Sequence, residues 1–124
     1  MENITLSDGE WKLMNKLWDK SPQTLAELVK AFESDTGWSK STIFVMLKRL
    51  IGKNAVSMDT NGKNQLYSPI IKKEDATTTE TNSFLKRVYG GSIGMMISSM
   101  AGQSSLSDED IAELKRIVNE FENK

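Results

Sequence analysis

The stretch Ser39-Lys40-Ser41-Thr42-Ile43-Phe44-Val45-Met46-Leu47-Lys48-Arg49-Leu50-Ile51-Gly52-Lys53 decides how this chain is read. At about 100° per residue, Ile43, Met46, Leu47 and Leu50 fall within roughly one third of a helix circumference, and that third is expected to face a core. Opposite lie Ser41, Thr42, Val45, Lys48 and Arg49, small polar and basic groups around one apolar residue, with Phe44 at the flank. A helix with such a face suits insertion into a DNA major groove. Ser39 is placed to cap its N-terminus and Gly52 to close its C-terminus. Viewed in isolation, the basic face is as readily an ordinary solvated surface; its surroundings separate the two.

Charge is the first of those surroundings. The formal net charge of −1 sums three unlike regions. Residues 1–35 hold four Lys/Arg against seven Asp/Glu, net −3; residues 36–73 hold seven against Asp59 alone, net +6; residues 74–124 hold five against nine, net −4. Basic charge gathered around one amphipathic helix is the footprint of a phosphate-binding surface.

Upstream, Ser7-Asp8-Gly9-Glu10 has the spacing of a capping box and opens a helix whose Trp11, Met14, Leu17 and Trp18 recur at helical spacing up to about Lys20. Both tryptophans are read as core. Thr24 with Glu27 repeats the box before Leu25, Leu28, Val29 and Phe32, and this second helix ends before Gly37. Trp38 is expected to act as a hydrophobic staple at the start of the third helix, with stacking on DNA as the alternative.

Downstream, the period changes to two. Ala55 to Met58 lead into Asp59-Thr60-Asn61-Gly62, and Lys63 to Ser68 follow before Pro69, a β-hairpin with an Asn-Gly turn signal. Three helices followed by a hairpin form a winged helix-turn-helix, and Lys63, with Asn61, stands at the wing. Lys72-Lys73-Glu74-Asp75 and Thr77-Thr78-Thr79 read as a junction into a long helix with a buried stripe of Phe84, Leu85, Val88 and Tyr89, broken by Gly90-Gly91. A Met-rich helix follows with Ile93, Met95, Met96, Ile97 and Met100. Ser107 then caps a last helix whose Ile111, Leu114, Ile117, Val118 and Phe121 form one stripe. Three such helices cannot bury all their stripes on one another, so a partner surface is expected, most simply a second copy of the chain. The alternatives are packing back onto the winged domain and, for the Met cluster, lining a small-molecule pocket.

The inventory sets exclusions. With no cysteine and no histidine, the chain has no disulfides, no thiolate metal site and no His-based triad. No cofactor, metal ligand or catalytic residue is therefore assigned. The run Ser92 to Ala101 is too short to span a bilayer and no leader pattern opens the chain, so a cytoplasmic, membrane-free protein is expected.

In order along nearly the whole length, Leu6-Ser7-Asp8-Gly9-Glu10-Trp11, Met14, Leu17-Trp18, Trp38-Ser39, Thr42-Ile43, Leu47-Lys48-Arg49-Leu50, Tyr67-Ser68-Pro69, Ser83-Phe84-Leu85, Gly90-Gly91-Ser92 and Leu106-Ser107 make the chain resemble the penicillinase and methicillin-resistance repressors, with copper-responsive repressors as relatives. The resemblance implies a dimeric repressor of a palindromic operator. It assigns base contacts to Ser41, Thr42, Phe44 and Val45. The chain departs from the copper-responsive relatives in lacking Cys-x-Cys pairs. It departs from the β-lactam branch in carrying Ser99-Met100 where a protease there cuts an Asn-Phe bond, and in having Ser41, Phe44 and Val45 where Lys, Gln and Thr are common.

The reading is thus a mainly α protein with a small β-hairpin: a winged helix over residues 1–70 and a helical dimerisation segment over 71–124. Ser39, Lys40, Ser41, Thr42, Phe44, Val45, Lys48, Arg49 and Lys63 face double-stranded DNA. Phe84, Leu85, Val88, Tyr89, Met96, Met100, Ile111, Leu114, Ile117, Val118 and Phe121 face the sister subunit in a homodimer. A winged-helix module that binds protein rather than DNA is the alternative, and a carboxylate enzyme a distant third. The operator sequence and the inducing signal, small molecule or protease, are not written in these residues.

Overall fold

The capping signals of the first two helices are realised as reciprocal hydrogen bonds. In the computed structural model, which describes residues 4–103 and 105–123 without the side chain of Asn61, α1 spans Asp8–Asp19 and α2 spans Leu25–Phe32. The Ser7 hydroxyl accepts from the Glu10 amide while the Glu10 carboxylate accepts from the Ser7 amide, and Thr24 and Glu27 repeat the pattern. Each box satisfies amides that the first helical turn leaves without intrahelical partners. The third helix, α3, spans Lys40–Gly52, with the Ser39 hydroxyl accepting from the Thr42 amide at 3.2 Å.

Leu13, Met14 and Leu17 of α1, Leu28 and Phe32 of α2, and Ile43, Leu47 and Leu50 of α3 are fully buried together. Burial of each such side chain stabilises by about 2 kcal/mol, so this core rather than local propensity sets the rotation of α3 about its axis. Trp11 and Trp18 are half-buried against it, their rings 5.7 Å apart. The Trp38 ring packs on Phe32 at 4.8 Å, which places it at the edge of the core.

The end of α3 differs from the sequence expectation. Gly52 lies within the helix, and the left-handed residue is Asn54, with φ of 63°. The Ala55 amide donates to the Leu50 carbonyl at 2.9 Å and the Asn54 amide to Ile51 at 3.0 Å, the two bonds of a Schellman closure. Asparagine tolerates that conformation, so the helix runs past the glycine.

Strand β1 (Val56–Asn61) pairs antiparallel with β2 (Asn64–Pro69), in register from Val56 opposite Pro69 to Asn61 opposite Asn64. The two loop residues are therefore Gly62-Lys63, one position later than an Asn-Gly turn, and Gly62 takes the positive φ of 66°. The wing is braced at its base, where Tyr67 exchanges both backbone bonds with Gln23 at 2.8 and 3.0 Å. The buried Gln23 side chain in turn donates to the Lys16 and Lys20 carbonyls, closing the end of α1. Three helices and this braced hairpin form a winged helix.

Beyond the hairpin, α4 spans Lys73–Tyr89, α5 Ile93–Gly102 and α6 Asp108–Glu122. The run Thr77-Thr78-Thr79, expected as a junction, is helical. Its helix starts on anchored ground, since Ala76 is buried and the Trp18 indole donates to the Ile71 carbonyl at 3.0 Å. Gly90 and Gly91 end it at positive φ, as expected. Ser107 and Asp110 form a third capping box on α6. The chain divides into two compact units, Met1–Glu80 and Thr81–Lys124. Among the described residues, no helix is long and apolar enough to cross a membrane.

Candidate nucleic-acid interface

Because Ile43, Leu47 and Leu50 are held in the core, the opposite face of α3 is fixed outward. Ser39, Lys40, Ser41, Thr42, Lys48 and Arg49 are all exposed there. Val45 is 49% exposed and Phe44 38%, so the helix phase read from the sequence holds and Val45 is not a core residue. The Lys48 ammonium sits over the Phe44 ring, 5.2 Å from its centroid. At the start of the helix the hydroxyls of Ser39, Ser41 and Thr42 form a small cluster, Ser39 Oγ lying 3.0 Å from Thr42 Oγ1 and 3.3 Å from Ser41 Oγ.

Lys63 is exposed at the wing tip, and the hairpin brings it back toward the start of α3. Thr24, Leu25, Lys40, Lys63, Asn64 and Tyr67 line one groove of about 470 Å³ between the start of α2, the start of α3 and the wing. Two lysines thus share a concave surface at which the N-terminus of α2 also opens, and each of these features favours an anion. Burial pushes the Tyr67 phenol at the base of the groove above its ordinary pKa, so it stays neutral beside them. Periodicity alone could not pair Lys40 with Lys63 or find Thr24 and Asn64, because the groove is made by the tertiary bridge between Tyr67 and Gln23.

Lys40, Lys48, Arg49 and Lys63 have no carboxylate partner among the described residues. Lys53 differs. It counts toward the +6 of the central region, yet its ammonium lies 2.6 Å from Oε1 of the buried Glu10. The unpaired basic charge of residues 36–73 is smaller by that lysine. Asn61 belongs to the wing backbone, and its side chain lies outside the described set.

The second unit presents a different surface. No described residue of α5 or α6 is buried. Phe84 and Val88 of α4, Ile93, Met95 and Met100 of α5, and Ile111, Ile117, Val118 and Phe121 of α6 are exposed, while Leu85, Tyr89, Met96 and Leu114 are half-buried. The stripe on α4 expected to be buried is therefore largely uncovered within one chain. Ile97, Ile111, Leu114 and Val118 line an open groove of about 770 Å³. No group of His, Cys, Asp or Glu among the described residues is arranged to hold a metal.

Comparison with known proteins matches this architecture. The penicillinase repressor family profile covers residues 6–120. The penicillinase repressor of Bacillus licheniformis is 34% identical over 119 residues, covering 96% of this chain and 93% of that protein. The methicillin resistance regulatory protein MecI of Staphylococcus aureus is 26% identical over 96% of this chain and 98% of its own length. The solution structure of monomeric B. licheniformis BlaI in complex with the blaP half-operator superposes with a TM-score of 0.53 at 32% identity, covering 60% of this chain and 90% of that one. With the winged helix, the exposed basic face of α3 and these likenesses in hand, the chain belongs to the penicillinase repressor family.

Proposed function

We propose that the chain is a DNA-binding transcriptional repressor that inserts α3 into the major groove of a two-fold operator and acts as a homodimer. The observation that carries this reading is the outward face of α3, free of acidic residues and bearing Lys40, Lys48 and Arg49, with Lys63 beside it on the wing. Ser39, Ser41, Thr42, Phe44 and Val45 complete the set facing DNA. Residues 1–70 carry the binding. Residues 71–124 carry dimerisation, through Phe84, Leu85, Val88, Tyr89, Met96, Met100, Ile111, Leu114, Ile117, Val118 and Phe121.

Support comes from three directions. The basic charge is concentrated in residues 36–73, which carry α3 and the wing, while residues 1–35 and 74–124 are net acidic, which orients this face toward phosphate. The uncovered apolar stripes of α4, α5 and α6 favour a symmetric partner. The BlaI relative, at 32% identity, is a repressor that binds a half-operator. A mobility-shift titration of the full chain against the region upstream of its own gene, with an unrelated duplex as competitor, tests the reading. Selective retardation of the upstream duplex is expected. Equal affinity for both duplexes, or none for either, would leave the protein-interaction module as the better account.

A further inference from the structure

The recognition face of α3 is unusual in what it does not contain. Between Lys40 and Gly52 there is no Asn, Gln, Asp or Glu. The helix therefore has no carboxamide to read adenine bidentately and no carboxylate to accept from cytosine. Its hydroxyls at Ser39, Ser41 and Thr42 are engaged with one another and with the Thr42 amide at the cap. The face is apolar at its centre, Val45, and at its flank, Phe44, and both are exposed although Ile43, Leu47 and Leu50 already fill the core side. Core packing gives no reason for either.

We infer that Phe44 and Val45 read the 5-methyl groups of pyrimidines in the major groove, so that each half-site contains a thymine selected by its methyl group. This deepens the repressor reading and rests on it. A methyl group is the apolar feature that a base edge offers in that groove, and an apolar side chain at the centre of an otherwise polar face is its complement. The Lys48 ammonium, 5.2 Å from the Phe44 ring centroid, restrains the ring by a cation–π contact. Discrimination by one methyl is modest, about fourfold in affinity. Recognition at this position follows the methyl rather than the base-pairing edge, so 5-methylcytosine substitutes in part for thymine.

The test uses the full chain and the duplex it recovers from a random-sequence pool, resynthesised with deoxyuridine in place of each thymidine in turn. At one or two positions per half-site the substitution is expected to weaken binding about fourfold. A 5-methylcytosine·guanine pair there should bind more tightly than an unmethylated cytosine·guanine pair by a similar factor. In Val45→Ala or Phe44→Ala the thymine-to-uracil ratio should fall toward one while the salt dependence is unchanged. Thermal unfolding of both variants checks that the fold is kept. Uracil tolerance at every position, or the same sensitivity in both variants as in the unaltered chain, overturns the inference while leaving a DNA-binding repressor. Recovery of no preferred duplex defeats the repressor reading itself, and this inference with it.

Discussion

Lys53 Nζ lies 2.6 Å from Oε1 of Glu10 and 2.8 Å from the Thr5 carbonyl, joining the residue just after α3 to the capping box that opens α1. Glu10 is 1% exposed and its Oε2 has no hydrogen-bond partner among the described residues, so Lys53 and the Ser7 amide together hold the buried charge. Burial acts to raise the Glu10 pKa, but the hydrogen bonds from Lys53 and Ser7 and the ammonium charge override it and hold the carboxyl below the ordinary 4.5.

A depressed native pKa means that the unfolded chain binds the extra proton. The stabilisation from Glu10 is thus present above the unfolded pKa and lost as pH falls through the folded one. Urea unfolding at about pH 7 and about pH 3 should show a larger loss for the unaltered chain than for Glu10→Gln. Equal losses would show that the pair contributes nothing to the acid branch. Lys53→Met, which strands the carboxylate, should cost about 2 kcal/mol at neutral pH; the half-exposed ammonium places it below the usual range for a buried pair.

The ordinary helix signals were local, and local signals were legible. Ser7 with Glu10, Thr24 with Glu27 and Ser39 at its cap are sequence neighbours, and the 3.6-residue period of Ile43, Leu47 and Leu50 fixes the outward face of α3 without tertiary information. What escaped were relationships made by folding. Lys53 looks like one more basic residue until α1 brings Glu10 to it, and Gln23 looks like a loop residue until β2 pairs with it. The threonine run reads as a junction by propensity, yet it lies within α4, next to the buried Ala76.

Asn54 and Gly52 provide a paired test of how α3 ends. Asn54 is left-handed, so Asn54→Gly should be neutral or stabilising, and Asn54→Ala should cost about 1 kcal/mol. Gly52 is helical, and a Cβ there meets nothing within 4 Å, so Gly52→Ala should stabilise by roughly 0.5–1 kcal/mol. Thermal unfolding of the three variants decides. A strongly destabilised Gly52→Ala would mean that the glycine closes the helix after all.

Lys48, Arg49 and Lys63 are expected to act on DNA through phosphates. Their charges are exposed and have no carboxylate partner among the described residues. Replacing each by Ala should weaken all duplexes about equally and lower the slope of log affinity against log salt by roughly 1. Lys53→Ala is the internal contrast: its ammonium is held by Glu10, so the slope should be unchanged even if stability falls. Loss of sequence preference in one of the first three variants, with general binding retained, would assign that residue to a base instead.

Dimerisation is expected to depend on the stripe of α6. Leu114 is half-buried in the groove it shares with Ile97, Ile111 and Val118, and Val118 is 54% exposed beside it. A carboxylate placed there costs little in a lone chain, because the face is open to water. Buried against a sister subunit without a partner, it costs several kcal/mol. Leu114→Glu and Val118→Glu should therefore sediment as folded monomers under conditions where the unaltered chain sediments as a dimer. Their affinity for a two-fold duplex should fall toward that for a single half-site. An unchanged dimer in both variants would remove α6 from the interface, and a monomeric unaltered chain would remove the homodimer itself, in either case leaving the winged helix and its basic face intact.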